Sequence, residues 1–157
     1  MTRIHERIHA DLPIEAAFDY IADFANAATW DPNTAAAQRL DDGPVGRDAR
    51  YRVDVRIGNR TTSMTYRISE FDRPRRVVLV GEGEGVSSVD DIRFERSGSG
   101  TAVNYAADIR LGGLLRFVQP FLGSRFEKLG KDAAAGMTRE LQRLADDPAP
   151  TSGGGAA

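Results

Sequence analysis

The sequence predicts an α+β fold in which a strongly bent antiparallel sheet holds one long carboxy-terminal helix. Three observations lead there. Apolar residues alternate with polar ones through most of the middle of the chain, the signature of strands with one wet face. Gly and Pro recur between the alternating runs, where turns belong. From 114 to 144 the period becomes helical, and a helix with a single apolar stripe has to bury it against the sheet. With 157 residues, 41% of them hydrophobic, the chain is sized for a single core that buries about 68–70% of the unfolded surface. One domain is expected over 1–146. Residues 147–157, ending Pro-Ala-Pro-Thr-Ser-Gly-Gly-Gly-Ala-Ala, are expected to be a disordered tail, because they carry too little apolar bulk to offset their ordering entropy.

Taken in order, 3–10 reads as a strand with Ile4 and Ile8 on one side and Arg3, His5, Arg7 and His9 on the other. Pro13 closes it and opens a short helix, with Asp11 as a plausible cap and Ile14, Ala17, Phe18, Ile21 and Ala22 on one stripe. A further helical turn or two runs through Phe24 and Ala28 to Trp30, and Asp31-Pro32-Asn33 ends it. Tyr51, Val53, Val55 and Ile57 alternate with Arg50, Arg52, Asp54 and Arg56; Gly58-Asn59 is a two-residue hairpin signal. Across that turn Thr62, Met64, Tyr66 and Ile68 share one face. Further strands are expected at 34–40, 76–80, 89–96 and 101–111, with turns at Gly43-Pro44, Asp72-Arg73-Pro74, 81–85 and Gly98-Ser99-Gly100. The final helix, stepping through Val118, Leu122, Phe126, Leu129, Ala133, Met137, Leu141 and Leu144, would reach about 45 Å if straight. Gln119-Pro120 should kink or restart it near its beginning.

Composition narrows the function. Lys and Arg number 21 against 23 Asp and Glu, a net charge of −2, so there is no basic field to hold a phosphate backbone, and no nucleic-acid partner is expected. Zero Cys excludes disulfides, thiol nucleophiles and Cys-ligated metals. The two histidines, His5 and His9, share a strand face about 13 Å apart and cannot chelate one metal; no metal and no cofactor is expected. The amino terminus lacks the apolar run of a signal peptide and no window approaches a membrane span, so a cytoplasmic protein without an integral membrane segment is expected, as a monomer or weak homodimer. Gly81-Glu82-Gly83-Glu84-Gly85 is no dinucleotide loop, because no helix follows it and its glutamates would repel phosphate. It reads as a flexible hairpin loop.

The element order, the stretch DLPIEAAFDYIAD at 11–23, Trp30-Asp31-Pro32, and Gly100-Thr101-Ala102-Val103-Asn104-Tyr105 together resemble the START-related polyketide cyclase/dehydrase and lipid-transport superfamily, SRPBCC, over 2–145. The resemblance implies a helix-grip fold with about seven antiparallel strands, a count that fits the turn spacing, and a deep apolar cavity between sheet and helix. Members bind lipids, sterols, polyketides, quinones or plant hormones there, and a minority do chemistry on them. The superfamily has no universal catalytic motif, so no catalytic residue is carried over.

Candidate ligand-binding residues follow from parity. The inner sheet face supplies Tyr51, Met64, Tyr66, Leu79, Tyr105 and Ile109; the helix stripe supplies Phe121, Leu122, Phe126 and Leu129. The tyrosine hydroxyls either find backbone partners as core residues or are completed by a polar ligand. Asp90, with Ser88, shares parity with Ile92 and Phe94. If that strand runs inward throughout, Asp90 is a desolvated carboxyl suited to acid–base work; if it begins only near Ile92, Asp90 sits in a solvated turn. Arg125, beside the stripe, either reaches a ligand oxygen or extends to water. Trp30, which the resemblance places near the cavity mouth, is either a packing plug or a ligand platform. The small run Ala133-Ala134-Ala135-Gly136 either lets the sheet approach closely or leaves room for a ligand.

The leading expectation is a carrier or sequestering domain for a hydrophobic small molecule, lipid-, polyketide- or isoprenoid-like. One alternative is a cofactor-independent cyclase or dehydratase with Asp90 and Tyr105 as catalytic candidates. Another is a non-catalytic protein-interaction module, co-chaperone-like or antitoxin-like, which needs an exposed apolar patch instead of a cavity.

Overall fold

A computed structural model describes residues 2–147; 148–157, most of the expected tail, lie outside the described residues. Seven strands form one antiparallel sheet: β1 (Thr2–Ala10), β2 (Thr34–Arg39), β3 (Arg50–Ile57), β4 (Arg60–Asp72), β5 (Arg76–Gly83), β6 (Val86–Ser97) and β7 (Gly100–Leu111). Their spatial order is β1-β7-β6-β5-β4-β3-β2. The chain therefore meanders from β2 to β7, and β1 closes onto β7. Two helices, α1 (Ile14–Ala22) and α2 (Ala27–Trp30), carry the chain from one edge to the other, and α3 (Gly123–Asp146) is gripped by the sheet. Register shifts at Thr34/Ala36 and Ile68/Glu70 bend the strands there, as bulges do.

The stripe of α1 is buried as its spacing requires: Ile14, Ala17, Phe18, Ile21 and Ala22 are all covered. Phe18 meets Phe71 and Phe94 edge-on at 5.2 and 5.1 Å, which ties α1 to β4 and β6; burying such a ring contributes roughly 1.5–3 kcal/mol. Asp11 does not cap α1. Pro13 occupies the cap in an extended conformation with no side-chain bond to the helix, its fixed φ preparing the first turn without a capping carboxylate.

Two boundaries differ from expectation. The glycine-rich stretch 81–85 is strand through Gly83, and only Glu84-Gly85 forms the turn, with Gly85 at φ +71°. Gly81 serves packing instead of flexibility: a Cβ there would lie 2.5 Å from Tyr66 Cε1, so its missing side chain is the seat of the Tyr66 ring. The long helix begins at Gly123, not 114, and spans about 36 Å. Residues 113–117 and 119–121 form short 3₁₀ turns instead. Gly113 at φ +58° and Pro120 oppose a continuous helix. Buried Gln119 fixes the alternative path, because its amide accepts from Leu111 N (3.2 Å) and donates to Ile109 O (2.8 Å) and Thr2 Oγ1 (3.1 Å).

Glycines also set how closely the helix is held. Gly130 lies against Ile4 and Gly136 against the Trp30 carbonyl, both so near that a Cβ would overlap them. Ala133 and Ala134, one turn between, face a cavity. The small-residue run thus does both things open to it: it permits close approach at Gly136 and leaves space at the alanines.

Candidate functional site

That space is a cavity of about 110 Å³ between α3, β1, α2 and the inner face of β3, β4, β6 and β7. Its walls are mostly apolar, with Ile4, Ile8, Val53, Ala107, Ile109 and Met137 among them. Its polar groups converge from neighbouring strands. Asp90 on β6 is 3% exposed; Ser88 Oγ donates to its Oδ1 at 2.5 Å and the Tyr105 hydroxyl donates to its Oδ2. β6 therefore runs inward from Val86 onward, and of the two readings of Asp90 the solvated turn is the one the structure rejects. Burial pushes the Asp90 carboxyl up to about 6, and the hydrogen bonds from Ser88 and Tyr105 pull the other way. Burial also raises the Tyr66 and Tyr105 phenols well above the ordinary range, so both are neutral donors across the physiological range. Tyr66 donates weakly to Met64 Sδ at 3.9 Å.

Two further carboxyls border the cavity. Asp31 is raised by burial, against the pull of its own turn, in which it accepts from Asn33 N (2.9 Å) and Thr34 Oγ1 (3.0 Å). Those bonds occupy it structurally, and they explain why Asp31-Pro32-Asn33 ends α2. Glu6 faces inward between Ile4 and Ile8, opposite Tyr105 across the β1–β7 ladder. Sequence reasoning missed Glu6, although the alternation of β1 gives it the inward parity. Among the described residues no Lys, Arg or His lines this cavity.

The expected site residues divide into three groups. Trp30, Tyr66, Asp90, Tyr105 and Leu129 line the cavity, as does Ile109. Trp30 is 2% exposed, deep in the wall and not at the mouth. Its ring meets Tyr105 and Phe24 at 6.1 Å. Tyr51, Met64 and Leu79 also point inward, but they are packed solid in the core and do not border the space. Burial pushes the Tyr51 phenol up to about 12. The helix residues form the third group. Leu122, Arg125 and Phe126 border a separate open groove of about 1380 Å³ at the tips of the β3–β4 and β5–β6 hairpins, and Phe121 is 83% exposed. None of the four borders the cavity: Phe121 and Leu122 precede the displaced start of α3, and Phe126, 1% exposed, packs against Ile4 and Ala107. Cavity and groove meet at Asn33 and Leu129, which border both. His5 and His9 lie on the exposed face of β1, and no cluster of three or more potential metal ligands occurs among the described residues. No helix among them is long and apolar enough to cross a membrane.

Solved structures share this architecture. The Thermus thermophilus protein TTHA0849 superposes with a TM-score of 0.77 at 13% identity over 92% of this chain and 99% of its own. A START superfamily protein from Mycobacterium smegmatis gives 0.77 at 13%, with 92% and 99% covered. The Zhui aromatase/cyclase from Streptomyces sp. R1128 gives 0.73 at 14%, with 91% and 94% covered. At such identities the likeness is one of fold, and that fold is the helix grip. No curated protein sequence matches the chain. A family model described as polyketide cyclase / dehydrase and lipid transport matches residues 1–147. With the sheet, the gripped helix and the cavity between them all in place, the chain belongs to the polyketide cyclase/dehydrase and lipid transport family.

Proposed function

We propose that the protein binds a neutral hydrophobic small molecule for carriage or sequestration, with a hydroxyl-bearing end seated at Asp90 and Tyr105. The observation that carries this reading is the cavity's asymmetry: apolar walls, a buried carboxyl with its two hydroxyl partners, and no cation among the described residues that line it. An anionic head would lie beside Asp90 and Glu6 with no countercharge, whereas a hydroxyl can donate to either carboxylate. About 110 Å³ is less than the ~150 Å³ of a dry cavity that admits benzene. It takes a ring or chain end, and the rest of a larger guest extends past Leu129 into the groove. Apolar burial supplies about 25 cal/mol per Å².

The test pairs two guests of equal chain length, decanol and decanoate, at pH 8. Trp30 is the single tryptophan and sits in the cavity wall, so its emission reports occupancy. Decanol is expected to shift it saturably, and decanoate to bind at least tenfold more weakly. Equal affinities would reject the reading.

The raised Asp90 carboxyl favours a second reading, a cyclase or dehydratase in which Asp90 moves a proton on a polyketide-like substrate with Tyr105 beside it. A group poised near neutrality is suited to such transfer. Turnover of a polyketide-like substrate is then expected to show an inflection near pH 6 that Asp90→Asn removes. An unchanged profile in the variant would assign the chemistry elsewhere.

A further inference from the structure

Residues 112–122, between β7 and α3, present an apolar surface of a kind found nowhere else on the described chain. Leu114 is 86% exposed, Phe121 83%, Phe117 62%, and Leu115 and Val118 are more than 40% exposed. Five large apolar side chains thus face solvent within eight residues, whereas the other exposed large apolar residues, Leu40 and Val89, stand singly. Isolated exposed side chains are ordinary; a contiguous patch marks a contact. The backbone holds this one in place, because Gln119 is buried and bonded to β1 and β7 and Leu115 packs over the β5–β6 turn at Gly85.

Charge around the patch is one-sided. Between 110 and 131 there are five cations, Arg110, Arg116, Arg125, Lys128 and Lys131, against the single carboxylate Glu127, in a chain whose net charge is −2. Glu127 is engaged by Lys131 at 3.3 Å. Arg116 lies 4.8 Å over the Phe117 ring. Many arginines elsewhere are matched: Arg3, Arg73 and Arg76, for example, each hold a carboxylate at 2.7–2.9 Å. Among the described residues Arg116, Arg125 and Lys128 form no ion pair. The groove itself also carries Glu84, next to Gly85, and Asp132, together with a further cation, Arg60.

Apolar side chains on a short rigid projection, ringed by unmatched cations, are complementary to an anionic bilayer surface. There leucine and phenylalanine enter the acyl boundary while arginine and lysine face the headgroups. We infer that residues 112–122 dock this protein on anionic lipid membranes, with Leu114, Phe117 and Phe121 inserted and Arg116, Arg125 and Lys128 against the headgroups. Leu114, Leu115 and Arg125 also border the groove, so docking turns its mouth toward the bilayer. Passage of a hydrophobic guest from lipid to groove rests on the binding reading above; docking itself does not.

The experiment is co-sedimentation of the full chain with vesicles of phosphatidylcholine alone or mixed in equal parts with phosphatidylglycerol. The mixed vesicles are expected to bind the protein, with binding falling as salt rises, and phosphatidylcholine alone to bind it at least tenfold more weakly. A triple variant, Leu114→Ser, Phe117→Ser and Phe121→Ser, is expected to lose at least tenfold in affinity with an unchanged melting temperature, since all three side chains are exposed. Asp90→Asn is expected to bind vesicles as the parent does, even if the decanol test fails, which separates the two proposals. Failure to bind mixed vesicles, or equal binding by the triple variant, would overturn the inference. So would a dimer in solution that the triple variant dissociates while vesicle binding is absent, because a second copy would then cover the patch.

Discussion

Asp90→Asn is expected to raise the unfolding free energy at pH 8 by about 3 kcal/mol, equivalent to roughly 6–12 °C in melting temperature for a chain of this size, while weakening decanol binding. Burial lifts the carboxyl from 3.8 to about 6 in the folded protein. The sign follows directly. Below about pH 4 the group is protonated whether the chain is folded or not, and the substitution changes little. Between about 4 and 6 the unfolded chain releases the proton and the folded one retains it, so stability falls as pH rises. Above 6 the full cost of an ionised carboxylate in the core is present, at about 1.36 kcal/mol for each pH unit between the two values. The asparagine amide of the variant avoids that cost while still accepting from Ser88 or Tyr105. The arginine-paired carboxylates Asp19, Asp91 and Asp108 are shifted down and act in the opposite sense, weakly, because they are exposed or only partly buried. Subtracting the parent's urea-denaturation profile from the variant's isolates Asp90. A difference that is flat from pH 4 to 8, or a variant less stable at pH 8, would show that the carboxyl is not desolvated as its position implies. A stability sacrifice of this size at a site residue fits function better than packing.

The fold was legible because its signals are local. Alternation across Tyr51–Ile57 and Thr62–Ile68, and the stripe from Ile14 to Ala22, are consequences of pleat and helical repeat, and each chooses a face without reference to the rest of the molecule. The site was legible only in part, because parity assigns a side chain to a face and says nothing of what lies in front of it. Tyr51 and Tyr66 occupy directly paired positions on β3 and β4, yet Tyr51 is sealed in the core and Tyr66 borders the cavity. The difference lies in α1, α2 and the turn between them, whose placement is tertiary. Phe121 stands off the cavity for another reason: its spacing fits the stripe, but Pro120 and the pull of Gln119 toward β1 and β7 break the helical register just before α3. Glu6 was hidden by its charge, which suggests a wet position even where alternation points inward. Asp90 was ambiguous because five residues rich in glycine preceded it. Gly81 and Gly83 proved to be strand positions where neighbouring side chains need the room.

Gly136→Ala is expected to destabilise the protein by at least about 2 kcal/mol, lowering the melting temperature by roughly 4–8 °C, although alanine is the better helix former by about 1 kcal/mol. Two effects of opposite sign compete, and the identity of the neighbour decides between them. At Gly136 a Cβ would overlap the Trp30 carbonyl oxygen and come within 3.1 Å of Pro32 Cδ. Both belong to the end of α2, where Asp31 and its partners hold the backbone, so relief requires moving a whole helix, a response that typically costs about 1–3 kcal/mol or more. At Gly130 the obstacle is the Ile4 Cγ2 methyl, which a Cβ would overlap; this β-branched side chain must change rotamer or move with β1, but no backbone carbonyl stands in the way, and Gly130→Ala is expected to cost less. Gly123, the first residue of α3, has nothing within 4 Å of a Cβ, and Gly123→Ala should be neutral or slightly stabilising. The order Gly136, Gly130, Gly123 in thermal denaturation therefore measures how closely the helix is held along its length. Moving α3 outward at Gly136 would also separate Met137 from Trp30 and enlarge the cavity between them, so the destabilised variant should admit longer alcohols than decanol. A Gly136→Ala variant that melts with the parent would mean that helix and α2 are free to adjust, and the size limit set by the cavity would then have to come from elsewhere.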